Sequence, residues 1–90
     1  MQISIEISLY PLVEQAYKQE IWQFINQLKQ TQGLKVVTNG MSTQVFGDYD
    51  LATNAVLEGM KQVHQKLNTS VFVCKFIAGD LSYVTPPEQC

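Results

Sequence analysis

Residues 34–48 read Leu-Lys-Val-Val-Thr-Asn-Gly-Met-Ser-Thr-Gln-Val-Phe-Gly-Asp. Leu34 to Thr38 is a short β-branched run. Met41 to Gly47 alternates apolar and polar residues, the period-two pattern of a strand with one wet face. Between the two stand Asn39 and Gly40, which tolerate positive φ and give the strongest short hairpin signal. Residues 34–47 are therefore expected to form a hairpin, with Ser42, Gln44, Phe46 and Asp48 along one polar side of its second strand.

The opening run has the same period. Ile3, Ile5, Ile7 and Leu9 point one way, into a core, and Ser4, Glu6, Ser8 and Tyr10 point the other. A strand is expected over 3–10, ended by Pro11, which cannot donate to a ladder. Tyr17, Ile21, Phe24, Ile25 and Leu28 recur at helical spacing with Gln15, Gln19, Gln23, Gln27 and Gln30 on the opposite side, so a helix is expected over 14–32. Gly33 stands where a helix-terminating glycine belongs, and Trp22 falls off the apolar stripe, at a rim or a subunit contact. Asp48 or Asp50 is placed to cap a second helix over 51–67, built on Ala52, Ala55, Val56, Gly59, Met60, Val63 and Leu67. Gly59 costs a helix about 1 kcal/mol against alanine and is expected to admit a close approach of this helix to a sheet. Residues 70–78, Ser-Val-Phe-Val-Cys-Lys-Phe-Ile-Ala, read as the last strand, and Ala78-Gly79-Asp80 turns out of it.

The element order is βαββαβ. Right-handed crossovers turn this order into an α+β, ferredoxin-like sandwich: a four-stranded antiparallel sheet in the order 4-1-3-2 with two helices on one face. The first and third strands are central and are read as parallel to each other. Their polar faces then adjoin on the side away from the helices. The fold by itself decides no function.

Ninety residues make one domain, read as 1–80 with a loose tail, 81–90, around Pro86-Pro87. A chain of this size buries about 60–65% of its unfolded surface, so self-association would add stability. The net charge is −2, there is no arginine, and the six lysines are scattered. A phosphate-neutralising stripe is missing, which argues against nucleic-acid binding, including an RNA-recognition reading of the same element order. No apolar run approaches the ~20 residues that cross a bilayer. The N-terminus shows no secretory pattern, and Cys74 and Cys90 make no disulfide framework, so reduced thiols and a cytoplasmic location are expected. Cys74 is read as a buried, small apolar residue. His64 is the only histidine, and without a cysteine cluster it offers no zinc or iron–sulfur site. No phosphate loop is present. An acylphosphatase-like activity lacks its arginine, so the chain is read as a non-enzyme that needs no cofactor. A cofactor-free oxygenase of the dimeric barrel type stays open as a further alternative.

Three short motifs carry a resemblance: Ser8-Leu9-Tyr10-Pro11-Leu12, Gly40-Met41-Ser42-Thr43 leading to Gly47-Asp48, and Lys75 in the last strand. Over residues 2–80 the chain resembles the thiamine/hydroxymethylpyrimidine-binding family, the YkoF-like domain. The resemblance implies binding of thiamine or its pyrimidine moiety without catalysis, as a carrier, buffer or sensor. In the tandem form of that family two such domains share a chain. One domain here implies a homodimer or homotetramer.

Thiamine carries a fixed positive charge on its thiazolium ring and a donor–acceptor edge on its aminopyrimidine. Tyr10 and Phe46 are candidates for stacking and cation–π contacts, roughly 0.5–2 kcal/mol each. Glu6 is the candidate anion, and Ser8, Ser42, Thr43 and Gln44 are candidate hydrogen-bonding groups. Plainer roles compete with each. Glu6 is placed to pair with Lys75 across strands, Asp48 to cap the helix, and Asn39 to serve the turn. Phe46, Tyr10 and Ile77 would equally form the core of a subunit contact in a structural or regulatory oligomer without a small ligand.

Overall fold

In the computed structural model, residues 1–11, 17–67 and 69–83 are described. The elements are β1 (Gln2–Pro11), α1 (Tyr17–Gln30), β2 (Lys35–Thr38), β3 (Thr43–Asp48), α2 (Tyr49–Lys66) and β4 (Ser70–Ala78). The sheet order is β2-β3-β1-β4, the expected α+β, ferredoxin-like arrangement. Residues 14–16 of the expected first helix and the tail beyond 83 lie outside the described residues.

The central strands β1 and β3 run antiparallel, not parallel as read from sequence. The crossover through α1 makes β2 run the same way as β1, and the hairpin then reverses β3. Every pair in the sheet is antiparallel, so one parity governs the faces. Ile3, Ile5, Ile7 and Val45 point inward and are almost completely buried, against Phe24, Ile25 and Leu28 of α1 and Ala52, Val56 and Val63 of α2. Each such aliphatic side chain contributes about 1.5–3 kcal/mol by leaving water. This core fixes register, because a slip of one residue would turn the isoleucines outward.

β1 ends at Pro11, which is itself the last paired residue, opposite Ser70. Gly79 donates its N–H to the Gln2 carbonyl at 2.9 Å, so the even residues of β1 exchange bonds with β4 and the odd ones face β3. The missing N–H of Pro11 therefore falls on the β3 side, where pairing has already ended at Ile7. The hairpin between β2 and β3 is present, but its corner is Gly40-Met41 and neither residue has positive φ. Asn39 N–H donates to the Ser42 carbonyl at 3.1 Å. The Asn39 side-chain oxygen accepts from the N–H groups of Met41 and Ser42 at 2.8 and 3.2 Å. The asparagine side chain closes the turn in place of left-handed backbone.

Asp48 caps α2, accepting from the N–H groups of Asp50 and Leu51 at 3.1 and 3.2 Å. Gly59 provides a close approach, but to the other helix: a Cβ there would sit 2.7 Å from Phe24 Cε1 of α1. Cys74 is half-buried rather than buried, on the helix side of an edge strand, and desolvation pushes its thiol pKa up. Among the described residues no helix is long and apolar enough to cross a membrane.

Candidate functional site

The face of the sheet away from the helices is set by the same parity. Ser4 stands opposite Phe46 and Ile77, Glu6 opposite Gln44 and Lys75, and Ser8 opposite Val73. Lys35 and Val37 of β2 stand opposite Phe46 and Gln44. On this face lies a depression of about 250 Å³, lined by Glu6, Gln44, Phe46, Lys75, Ile77 and Leu81 among others. Phe46 is only 8% exposed, although it lies on the side without helices.

A strap from the end of β4 builds one wall. Gly79 has φ +100, a conformation that favours glycine, and it turns residues 79–83 back over β1. Ser4 pins the strap: its hydroxyl donates to the Gly79 carbonyl at 2.8 Å and accepts from Leu81 N–H at 2.9 Å. The Asp80 side chain accepts from Ser82 N–H at 2.9 Å, and the hydrogen bonds from Ser82 hold its carboxyl below the ordinary range, with Lys35 adding to the shift. Ser4→Ala is expected to leave one carbonyl and one N–H without partners, at a cost of about 1–3 kcal/mol. Faster deuterium exchange at the Leu81 amide, with the helices unchanged, would register the loosened strap. Unchanged protection would remove Ser4 from this role.

Glu6 is the charged centre of the depression. One carboxylate oxygen lies 3.5 Å from Lys75 Nζ, and the other accepts from the Ser42 hydroxyl at 3.1 Å. The ion pair is open to solvent, with side-chain exposures of 70% for Lys75 and 37% for Glu6, so it holds the two groups together by no more than about 1 kcal/mol. A cation entering the depression can exchange for Lys75. Glu6, Gln44 and Phe46 thus form an acidic, an amide and an aromatic surface within one small concavity, the donor set that a cationic or amino-bearing aromatic ring requires.

The seven residues singled out from sequence do not all meet there. Glu6, Gln44 and Phe46 line the depression, and Ser42 reaches it through Glu6. Tyr10 lies six residues along β1 from Ser4, about 20 Å at the rise of a strand, so it cannot stack on the ring that Phe46 stacks on. Ser8, Tyr10, Ser42 and Thr43 line a second concavity of about 260 Å³ at the far end of the sheet, with Ile21, Phe24 and Ile25 of α1 and the Asn39–Met41 turn. Thr43 faces the helix side, buried, sharing a 2.8 Å hydrogen bond with Thr38. Its hydroxyl is on the opposite face of the sheet from Glu6. Lys75 was legible as the Glu6 partner and as part of the resemblance, not as a lining residue of the site. Ile77 was readable from parity, but Leu81 was not, because its position depends on the Gly79 turn. Among the described residues no three of His, Cys, Asp and Glu come together as a metal site.

No protein-family model and no curated protein matches the chain. Solved structures do. A hypothetical protein of Methanocaldococcus jannascii superposes with a TM-score of 0.74 at 28% identity, over 88% of this chain and 81% of that one. A Streptococcus pneumoniae protein gives 0.75 at 23%, over 92% and 93%. A candidate thiamine biosynthesis/salvage protein of Thermotoga maritima gives 0.73 at 19%, over 88% and 85%. These likenesses support the α+β, ferredoxin-like fold over nearly the full length of each chain.

Proposed function

We propose that this chain is a non-catalytic binding protein for a small cationic or amino-substituted heterocycle, thiamine or its hydroxymethylpyrimidine moiety, held on the open face of the sheet. The observation that carries the reading is the convergence of Glu6, Gln44 and Phe46 around a concavity sized for one ring system. The Thermotoga maritima neighbour, at similar TM-score, supports thiamine chemistry as the first to test. In this reading the protein works in the cytoplasm as a homo-oligomer, as a carrier, buffer or sensor, without metal or cofactor.

Calorimetric titration with thiamine and, separately, with hydroxymethylpyrimidine tests it. Saturable binding at one ligand per chain, weakened about tenfold by Phe46→Ala through lost stacking, is the expected result. Absence of heat and of thermal stabilisation at millimolar ligand would overturn it. A second reading, an oligomer without a small ligand, is favoured by the exposed apolar groups of the same face, Val71, Val73, Ile77 and Leu81. It predicts self-association that Ile77→Asp, at an exposed position of that face, disrupts, seen by light scattering. Phe46, expected from sequence in such a contact, is buried and does not test it.

A further inference from the structure

One row of residues crosses the open face of the sheet: Lys35, Phe46, Ser4 and Ile77, one from each strand. Phe46 is its aromatic member, and on a bare sheet face the ring would be wet. It is 8% exposed. The segment that stands over this row is the strap. The hydroxyl of Ser4, beside Phe46, accepts from Leu81 N–H at 2.9 Å and donates to the Gly79 carbonyl at 2.8 Å. Leu81 and Phe46 line the same depression. Asp80 is held below its ordinary range first by Ser82 and further by Lys35, so the strap's charge also reaches toward β2. An incoming flat ring thus finds Glu6 and Gln44 half-exposed, but the face of Phe46 covered.

We infer that the strap, residues 79–83, is a gate: closed, its Leu81 fills the place over Phe46 that a flat aromatic ligand takes, and the ligand enters by displacing it. This deepens, and rests on, the binding reading above. The strap is built to move as one piece. The bond from Gly79 N–H to the Gln2 carbonyl, at 2.9 Å, closes the β1–β4 ladder and stands at the hinge. Past it, among the described residues, the hydrogen bonds that tie the strap to the sheet both run to one hydroxyl, that of Ser4. The Asp80–Ser82 bond is internal to the strap and travels with it. Gly79 turns at φ +100, and no atom lies within 4 Å of its Cβ position, so nothing packs against the hinge. Closed strap and bound ring are exclusive states. The apparent affinity of a ring for the site is then its intrinsic affinity multiplied by the fraction of chains with the strap open.

Gly79→Ala tests the gate. Alanine disfavours the positive φ that the closed strap needs, and its Cβ displaces nothing, so only the closed state is penalised. In the ligand-free chain the Leu81 and Ser82 amides should exchange deuterium ahead of the β4 ladder. In Gly79→Ala they should exchange at least about fivefold faster, the scale of a left-handed alanine, with β1–β4 protection unchanged. The same opening governs binding. Thiamine and hydroxymethylpyrimidine should therefore each bind Gly79→Ala more tightly, by the factor by which exchange quickens. Leu81→Ala removes the covering side chain without touching the hinge, and it should also tighten both ligands. A strap that served as a fixed wall against the ligand would give the opposite sign. Weaker or unchanged binding in either variant of a chain that binds, or strap amides that exchange only with the β4 ladder, would overturn the gate and leave the binding reading standing. Binding by the variants alone would support the gate. Failure of the parent and both variants to bind either ligand would overturn the two together.

Discussion

Gly59→Ala is expected to destabilise the chain by about 1–3 kcal/mol, although alanine is the better helix former by about 1 kcal/mol. The new Cβ would lie 2.7 and 2.8 Å from Phe24 Cε1 and Cδ1, well inside van der Waals contact. Whether that matters depends on whether the ring can retreat. Phe24 is buried and rests on Phe72, which in turn rests edge-on against His64. The ring is backed from behind, so relief requires α1 and α2 to separate, and that would open the core shared by Leu28, Val56 and Val63. Gly40→Ala is the control. No atom lies within 4 Å of its Cβ position and its φ is not positive. There the same substitution should be neutral or stabilising by about 0.4–1 kcal/mol, by restricting the unfolded chain. Urea midpoints of the two variants measure the difference. Equal midpoints would show that the interhelical contact yields without cost.

The glycine also illustrates how much the sequence discloses. Helical period placed Gly59 on the inner stripe and its cost in a helix implied a close contact. The contact turned out to be a phenylalanine of the other helix rather than the sheet, because a helical period gives a face and not the neighbour on it. The sheet order followed from element order and the handedness of crossovers. The relative direction of β1 and β3 needed the strands traced one by one. Strand parity brought Glu6, Gln44 and Phe46 to one face, since alternation is a strictly local rule. It could not separate Tyr10 from Phe46, because distance along a strand decides what one ligand can touch. Thr43, next to Ser42, shows the same limit: adjacent strand residues face opposite ways, and one of the two had to leave the site. Leu81 was invisible, because a chain that doubles back after a strand obeys no period.

The charge arrangement at Glu6 makes the binding proposal separable into its parts. Thiamine is a cation and hydroxymethylpyrimidine is neutral, and Glu6 already faces one cation, Lys75, at 3.5 Å. Lys75→Met removes that competitor and keeps most of the side chain's length. Thiamine should then bind about two- to fivefold more tightly, up to about 1 kcal/mol, the scale of one exposed charge pair. Binding of the neutral pyrimidine should move little. Glu6→Gln should act in the opposite sense, weakening thiamine by about ten- to a hundredfold, the loss of a hydrogen bond or contact to a charged group, while retaining the Ser42 contact through its side-chain oxygen. Salt offers an independent check, since screening weakens exposed charge pairs. Raising ionic strength should lower thiamine affinity in the parent chain and leave the Glu6→Gln variant nearly unaffected. If both ligands respond alike to both substitutions, charge plays no part in recognition and the site reads the pyrimidine edge alone. If Lys75→Met weakens thiamine, the lysine is a ligand contact, donating to a ring nitrogen or the hydroxyl, rather than a competitor.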